Sequence, residues 1–305
     1  MSKLVRIGTR GSQLALWQAN ETSRLLTAAG YAPEIVTIKT TGDKRTDVSL
    51  ASIGGKGLFI KELEEALEHG AVDIAVHSLK DVPSIIPDHF VLAGFLERAD
   101  PRDAWLHPQR KPVQDVPKGA VIGTSSPRRR AQLIALFPHL TVEPIRGNVD
   151  TRIHKMNAGL YAGIVLANAG LTRLGRAAEI TSLFDVDEMV PAAGQGIVGI
   201  ETLKTNAYAR DAVAAITHRA SALAAHCERG VLQKFGERLD CYSCVAVHAT
   251  AIGGDVTIRA FLSDYEGTTP LRVTRTGSDP DAVIDAVADE LIARGAIDLL
   301  QVKTT

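Results

Sequence analysis

Aromatic side chains are scarce in this sequence, 5% of 305 residues, so its core has to be aliphatic. Cysteine is scarcer still. Cys227, Cys241 and Cys244 are too few, and odd in number, for a disulfide framework, which fits a reducing cytosol. Neither sign of charge dominates: 34 lysines and arginines stand against 35 acids, so no global field draws the chain toward nucleic acid or membrane, and any anion site must be a local cluster. There is no run of about 18 apolar residues, and M-S-K-L-V-R-I-G-T-R lacks the apolar core of a signal peptide. The expectation is a soluble, cytoplasmic protein with no nucleic-acid or membrane partner. G-x-S-x-G, GxGxxG and H-E-x-x-H are all absent. Lys56, among three glycines, is not a Walker lysine, because Gly57 and Leu58 follow where magnesium would need Ser or Thr.

What is present is room for two or three domains and a repeated pattern of strand, turn and helix. Its centre is A-V-D-I-A-V-H-S-L-K-D-V-P, residues 71–83, which reads as a buried strand ending in a loop that carries His77, Ser78, Lys80 and Asp81. Ligands of open α/β sheets gather at strand ends, which makes Asp81 a candidate catalytic group; taken alone, it equally reads as a turn cap before Pro83. Residues 4–9 and 34–39 read as strands, with Ser12 as N-cap and Gly30 as C′ of the helix between them. Residues 91–95 read as a further strand, and the succession predicts a parallel, doubly wound sheet. The proline-rich stretch 100–117 reads as a linker with surface loops.

A second unit begins at residue 121. Ser126 and Pro127 open a helix that places Arg128, Arg129 and Arg130 in its first turn, where cations oppose the helix dipole unless an anion is bound. Strands at 141–145 and 163–167 end near Arg146, Arg152 and Arg173, as the first strand ends at Arg10. Arginines recurring at strand ends, with one carboxylate among them, suit a polyanionic ligand and a cationic intermediate. P-A-A-G-Q-G, residues 191–196, leads into a strand that returns to the first sheet. After a broken helical stretch, 207–235, alternation on either side of Gly253-Gly254 predicts a hairpin, 271–275 a third strand, and 280–293 a closing helix capped by Asp279.

The cysteines admit several readings. Cys241-Tyr-Ser-Cys244 is a CxxC, but a strand pattern follows it rather than the helix that acidifies a redox thiol. Cys227, Cys241, Cys244 and His248 are irregularly spaced for zinc, with only one tight pair, so no metal is expected. A covalent attachment point and buried inert thiols are the other two readings.

Over essentially its whole length the chain resembles the porphobilinogen deaminase (hydroxymethylbilane synthase) family. R-I-G-T-R-G-S-Q-L-A-L-W-Q, G-G-K-G-L-F-I-K-E-L, D-I-A-V-H-S-L-K-D-V-P, G-T-S-S-P-R-R-R, R-G-N-V-D-T-R, A-G-L-T-R-L-G and P-A-A-G-Q-G carry the resemblance. It implies a transferase that condenses four porphobilinogens head to tail, with loss of ammonia through a cationic azafulvene. The primer would be one dipyrromethane cofactor per chain, joined by a thioether to a cysteine. Asp81 matches the catalytic aspartate. Lys80, Asp81, Ser126, Arg128, Arg129, Gly147 and Arg152 match cofactor-binding positions, and Arg10, Ser12, Lys56, Phe59, Arg146, Arg152, Arg173 and Gln195 match substrate or lid motifs. Arg130 lies beyond the usual pair and reads as solvated.

Counting back from V-A-V-H-A puts Cys241 at the attachment position, with Cys244, the runner-up, where the family has proline. Leu239-Asp240 replaces a glycine pair, and the Asp240 charge is unfavourable beside a tetracarboxylate unless a cation offsets it. The resemblance further implies an α/β fold of two periplasmic-binding-protein-like domains with the active cleft between them, and a smaller α+β domain with a three-stranded antiparallel sheet. The expected boundaries are 1–98 with 195–216, 99–194, and 217–305, in a monomer. The rival class is a non-enzymatic anion-binding clamp, which would need the arginines but neither Asp81 nor Cys241.

Overall fold

A computed structural model describes residues 4–39, 60–240 and 242–301. Lys56, Phe59 and Cys241 lie outside them. The chain forms two compact units, residues 1–99 with 196–226 and residues 100–195 with 227–305.

In chain order, β1 (Leu4–Arg10), α1 (Gln13–Ala28) and β2 (Ala32–Ile38) come first. Ser12 caps α1 by accepting from the Ala15 N–H at 3.3 Å, and Gly30 ends it at φ 86°. Next are α2 (Lys61–Glu68), β3 (Ile74–Ser78), a 3₁₀ turn at Leu79–Asp81 and β4 (Phe90–Phe95). The second unit then supplies β5 (Asp103–Leu106), β6 (Val121–Gly123), α3 (Pro127–Leu136), β7 (Thr141–Glu143), α4 (Val149–Asn157), β8 (Gly163–Ala167), α5 (Asn168–Arg173) and β9 (Ser182–Leu183). β10 (Val198–Leu203) rejoins the first sheet as expected, followed by α6 (Ala207–Ala214) and α7 (Arg219–Phe235). The chain closes with β11 (Cys244–Ile252), β12 (Asp255–Ser263), β13 (Leu271–Gly277), α8 (Pro280–Ala293) and α9 (Ala296–Gln301).

Both α/β sheets are mixed rather than parallel. The first has the order β2-β1-β3-β10-β4, with β1 parallel to β2 and β3, and β10 antiparallel to β3 and β4. The second has the order β7-β6-β8-β5-β9 and the same sequence of senses: β6 is parallel to β7 and β8, and β5 is antiparallel to β8 and β9. The antiparallel member in each case enters from outside the strand–helix run, so the crossover rule that makes the rest parallel does not govern it. Because β10 and β5 lie inside their sheets, each is hydrogen-bonded along both edges. In the first unit Val5, Ile7, Val76 and Ile200 pack against Ala19, Leu26 and Val213, while Leu63 and Leu67 of α2 cover Val72 and Ala75.

The stretch expected to be a linker therefore contains a core strand. In β5, Asp103, Ala104, Trp105 and Leu106 are all fully buried. The third sheet, β11-β12-β13, is antiparallel, with Gly253 and Gly254 at φ 63° and 94° in its hairpin turn. Phe261 and Ala246 of this sheet pack with Ala131 of α3 and with Val190. These sheets make up the expected fold class. Among the described residues no helix is long and apolar enough to cross a membrane.

Candidate active site

Parallel pairing brings the C-terminal ends of β1 and β3 to one edge of the first sheet. There Arg10, Ser12, Gln18, His77, Ser78 and Asp81 line a pocket of ≈ 80 Å³ together with Leu14, Ala15, Ile60 and Val76. Arg10 stands at the strand-to-helix junction, beside the N-terminal end of α1, where the helix dipole adds to its positive charge. Buried Gln18 donates from Nε2 to Ser78 Oγ at 2.8 Å, fixing the wall of the pocket. Asp81 and Lys80 are exposed on the 3₁₀ turn, so the carboxylate meets water and whatever enters. His77 is not in the loop, as its sequence position suggested: it belongs to β3 and is buried, with Nε2 2.9 Å from Glu201 Oε2 of β10.

The second unit answers the question raised by three arginines in a helix's first turn. Ser126 caps α3, accepting from the Arg129 N–H, and the anion that offsets Arg128 and Arg129 is Asp103. Arg128 donates from Nη1 to Asp103 Oδ2 at 2.7 Å, and Arg129 from Nε to Oδ1 at 2.9 Å, with its Nη2 2.8 Å from the same oxygen. Gln195 Nε2 adds a fourth donor at 2.9 Å and also donates to the Pro101 carbonyl. Burial alone would raise the Asp103 carboxyl, but the charges of Arg128 and Arg129 outweigh it and hold the group well below the usual carboxylate range. Burial also lowers the Arg128 pKa, with Asp103 opposing that shift.

Arg152, in α4, is half-buried and donates from Nε to the Gly147 carbonyl at 2.7 Å. Its pKa is lowered by burial and then by the charge of Arg129. Gly147 holds φ at 112°, and a Cβ there would lie 2.6 Å from the Thr151 side chain, so the turn before α4 needs glycine. Arg146 is exposed and offers its carbonyl to Lys155 Nζ at 3.1 Å. Arg173 is the last residue of α5 rather than part of a turn after β8. Arg130 is not solvated as expected: it lies 4.6 Å from the Tyr265 ring centroid and pairs with Glu266 at 2.9 Å. Arg128, Arg129 and Arg152 bring three positive charges against the one negative charge of Asp103, a local surplus of two.

A family model described as "Porphobilinogen deaminase, dipyromethane cofactor binding domain" matches residues 5–211. The chain is 47% identical over 294 residues to the porphobilinogen deaminase of Albidiferax ferrireducens, covering 96% of this chain and 92% of that one. It is 42% identical over 308 residues to that of Acidithiobacillus ferrooxidans, covering 99% and 98%. The chain belongs to the porphobilinogen deaminase family. The crystal structure of the methionine binding protein MetQ covers 73% of this chain and 94% of its own at 13% identity and a TM-score of 0.45, too loose a likeness to carry an argument.

Cys244 is buried at the start of β11, its Sγ 3.4 Å from the Pro127 carbonyl, and burial, opposed by the charge of Arg130, pushes its thiol up to about 12. Burial likewise pushes the Cys227 thiol up to about 11. Both are protonated at neutral pH and poor nucleophiles. Asp240, whose presence the sequence leaves unexplained, accepts at Oδ1 from the Tyr242 N–H and from the Ser243 hydroxyl, each at 2.9 Å. Among the described residues no group of three or more His, Cys, Asp or Glu could hold a metal ion.

Asp103 is the site residue that the sequence reading missed. Its signal was slight, an acid heading the four-residue run D-A-W-L between prolines. Gln18 and Glu201 were missed as well, since neither carries a motif.

Proposed function

We infer that this protein is a hydroxymethylbilane synthase: a transferase that deaminates four porphobilinogens, condenses them head to tail on a cysteine-linked dipyrromethane, and releases hydroxymethylbilane and ammonia. Family membership over nearly the whole chain carries the reading. The three-domain division, 1–98 with 195–216, 99–194 and 217–305, is part of it, since each range holds one sheet.

The donor chemistry fits a polycarboxylate. Arg128, Arg129 and Arg152 carry more positive charge than Asp103 cancels, and Ser126 lies at the same helix start. These residues, with Gly147 and Lys80, would hold the dipyrromethane, which when bound supplies the pyrrole carbon that accepts the first unit. Arg10, Ser12, Arg146, Arg152, Arg173 and Gln195 bind or orient the acetate and propionate groups of the substrate, and the motifs of Lys56 and Phe59 give them the same assignment. Asp81, exposed at the pocket of the first unit, holds the protonated aminomethyl group, whose C–N bond breaks with its electron pair going to nitrogen to release neutral ammonia, and offsets the positive charge left on the pyrrole. Cys241 is the attachment residue; the two buried, protonated cysteines support that choice by being unsuited to it. The protein is read as a cytoplasmic monomer without nucleic-acid or membrane partners.

The test is intact mass of protein from a porphobilinogen-making host, with peptide mapping and an assay for ammonia and hydroxymethylbilane. A dipyrromethane-sized adduct on Cys241 and four ammonia per product are expected. An unmodified chain without turnover would overturn the reading.

A further inference from the structure

Asp103 stands in β5 opposite Ala167 of β8, on a strand paired along both edges, and is fully buried. We propose that Asp103 is a positioning residue that aims Arg128 at an external carboxylate; the proposal rests on the reading that Arg128 helps to hold the dipyrromethane. Arg128 makes both of its internal bonds through Nη1, 2.7 Å to Asp103 Oδ2 and 2.7 Å to the Val190 carbonyl. The Nε–Nη2 edge takes no part in them. That edge is the one whose two parallel N–H groups match a carboxylate side-on. Arg129 is bound differently. Its Nε and Nη2 close on Asp103 Oδ1, and its Nη1 reaches the Val165 carbonyl at 3.3 Å.

One carboxylate thus sets two guanidiniums in different attitudes, one with a binding edge left over and one locked by its fork. Gln195 Nε2 holds Asp103 Oδ1 from a further side, so the carboxylate cannot rotate to follow Arg128. Shifting it by a methylene would turn the Arg128 edge away from its target, and reacting groups tolerate little misplacement. The competing account is architectural: the ion pairs would merely tie β5 to α3.

Asp103→Glu, Asp103→Asn and Arg128→Lys separate the two accounts, each made as full-length protein in a porphobilinogen-supplying host. The readouts are melting temperature, the adduct-bearing fraction by intact mass, and KM and kcat for porphobilinogen. Asp103→Glu keeps the charge and displaces the carboxylate. It should melt near the parent, carry adduct on fewer than half its molecules, and show KM raised about tenfold with kcat changed less. Arg128→Lys keeps the charge but lacks the edge, and should melt near the parent while losing most of the adduct. Asp103→Asn should lose both stability and adduct; if it does not fold, the other two variants decide. Parent-like loading and KM in Asp103→Glu, with only the melting temperature lowered, would overturn the proposal in favour of the architectural account. A parent protein with no adduct at all would overturn the underlying reading and the proposal with it.

Discussion

Asp81 stands exposed among Arg10, Ser12 and Ser78, so its side chain can face a cationic substrate. Asp81→Asn keeps the shape and removes the charge. Turnover should fall about a hundredfold or more, with the adduct still present, because the charge that offsets the cation is lost. Near-normal turnover would refute the assignment. Cys244 is the opposite kind of residue, buried and protonated with a thiol pushed up to about 12. Cys244→Ser should therefore keep the adduct and Cys241→Ser should abolish it; peptide mapping that finds the adduct on Cys244 would reverse the assignment. Residue types at motif positions were legible in the sequence, whereas their protonation was not, since that depends on burial by residues distant in the chain.

At the scale of elements, β5 departs most from expectation. Its four residues lie between prolines and alternate with nothing, so neither periodicity nor composition marks them as a strand. Pairing with β8 and β9 makes the strand, and Trp105 packs against β8 so closely that a Cβ on Gly163 would lie 2.1 Å from its ring. Gly163→Ala should destabilise the protein by about 1–3 kcal/mol through overpacking. Thermal or urea unfolding measures this, and an unchanged midpoint would mean that the ring has room to move. The capped helices were legible, because Ser12, Ser126 and Asp279 act on N–H groups only two or three residues away. The mixed sheets were not, since the senses of β5 and β10 are set by pairings with distant strands.

Two units repeat one strand order and one sequence of senses, and each places a fully buried carboxylate in its inner antiparallel strand, Glu201 in β10 and Asp103 in β5. For the whole molecule this makes acid stability depend on Asp103. Its carboxyl is depressed in the folded state, so its contribution is complete above the unfolded value of about 4 and is lost as pH falls through the lower folded value. The difference in melting temperature between parent and Asp103→Asn should be constant above about pH 5 and shrink below about pH 4. A gap unchanged down to about pH 2.5 would show that Arg128 and Arg129 do not hold the Asp103 carboxyl ionised, a test that needs folded Asp103→Asn protein. Exposed arginines respond to ionic strength instead: KM for porphobilinogen should rise between low salt and about 0.3 M, as screening weakens arginine–carboxylate attraction. A KM indifferent to salt would argue against arginine-bound carboxylates.

The sequence by itself determined the family, the local helix starts, the hairpin and the inventory of arginines, because motifs, caps and turns are written in neighbouring residues. Only the tertiary structure decided which anion the helix-start arginines meet, which cysteines are sealed off, and that a proline-flanked stretch is a core strand. Each of these turns on a contact between residues far apart in the chain, Asp103 with Arg128 or Cys244 with Pro127, and burial and charge pairing take effect only when the fold brings them together.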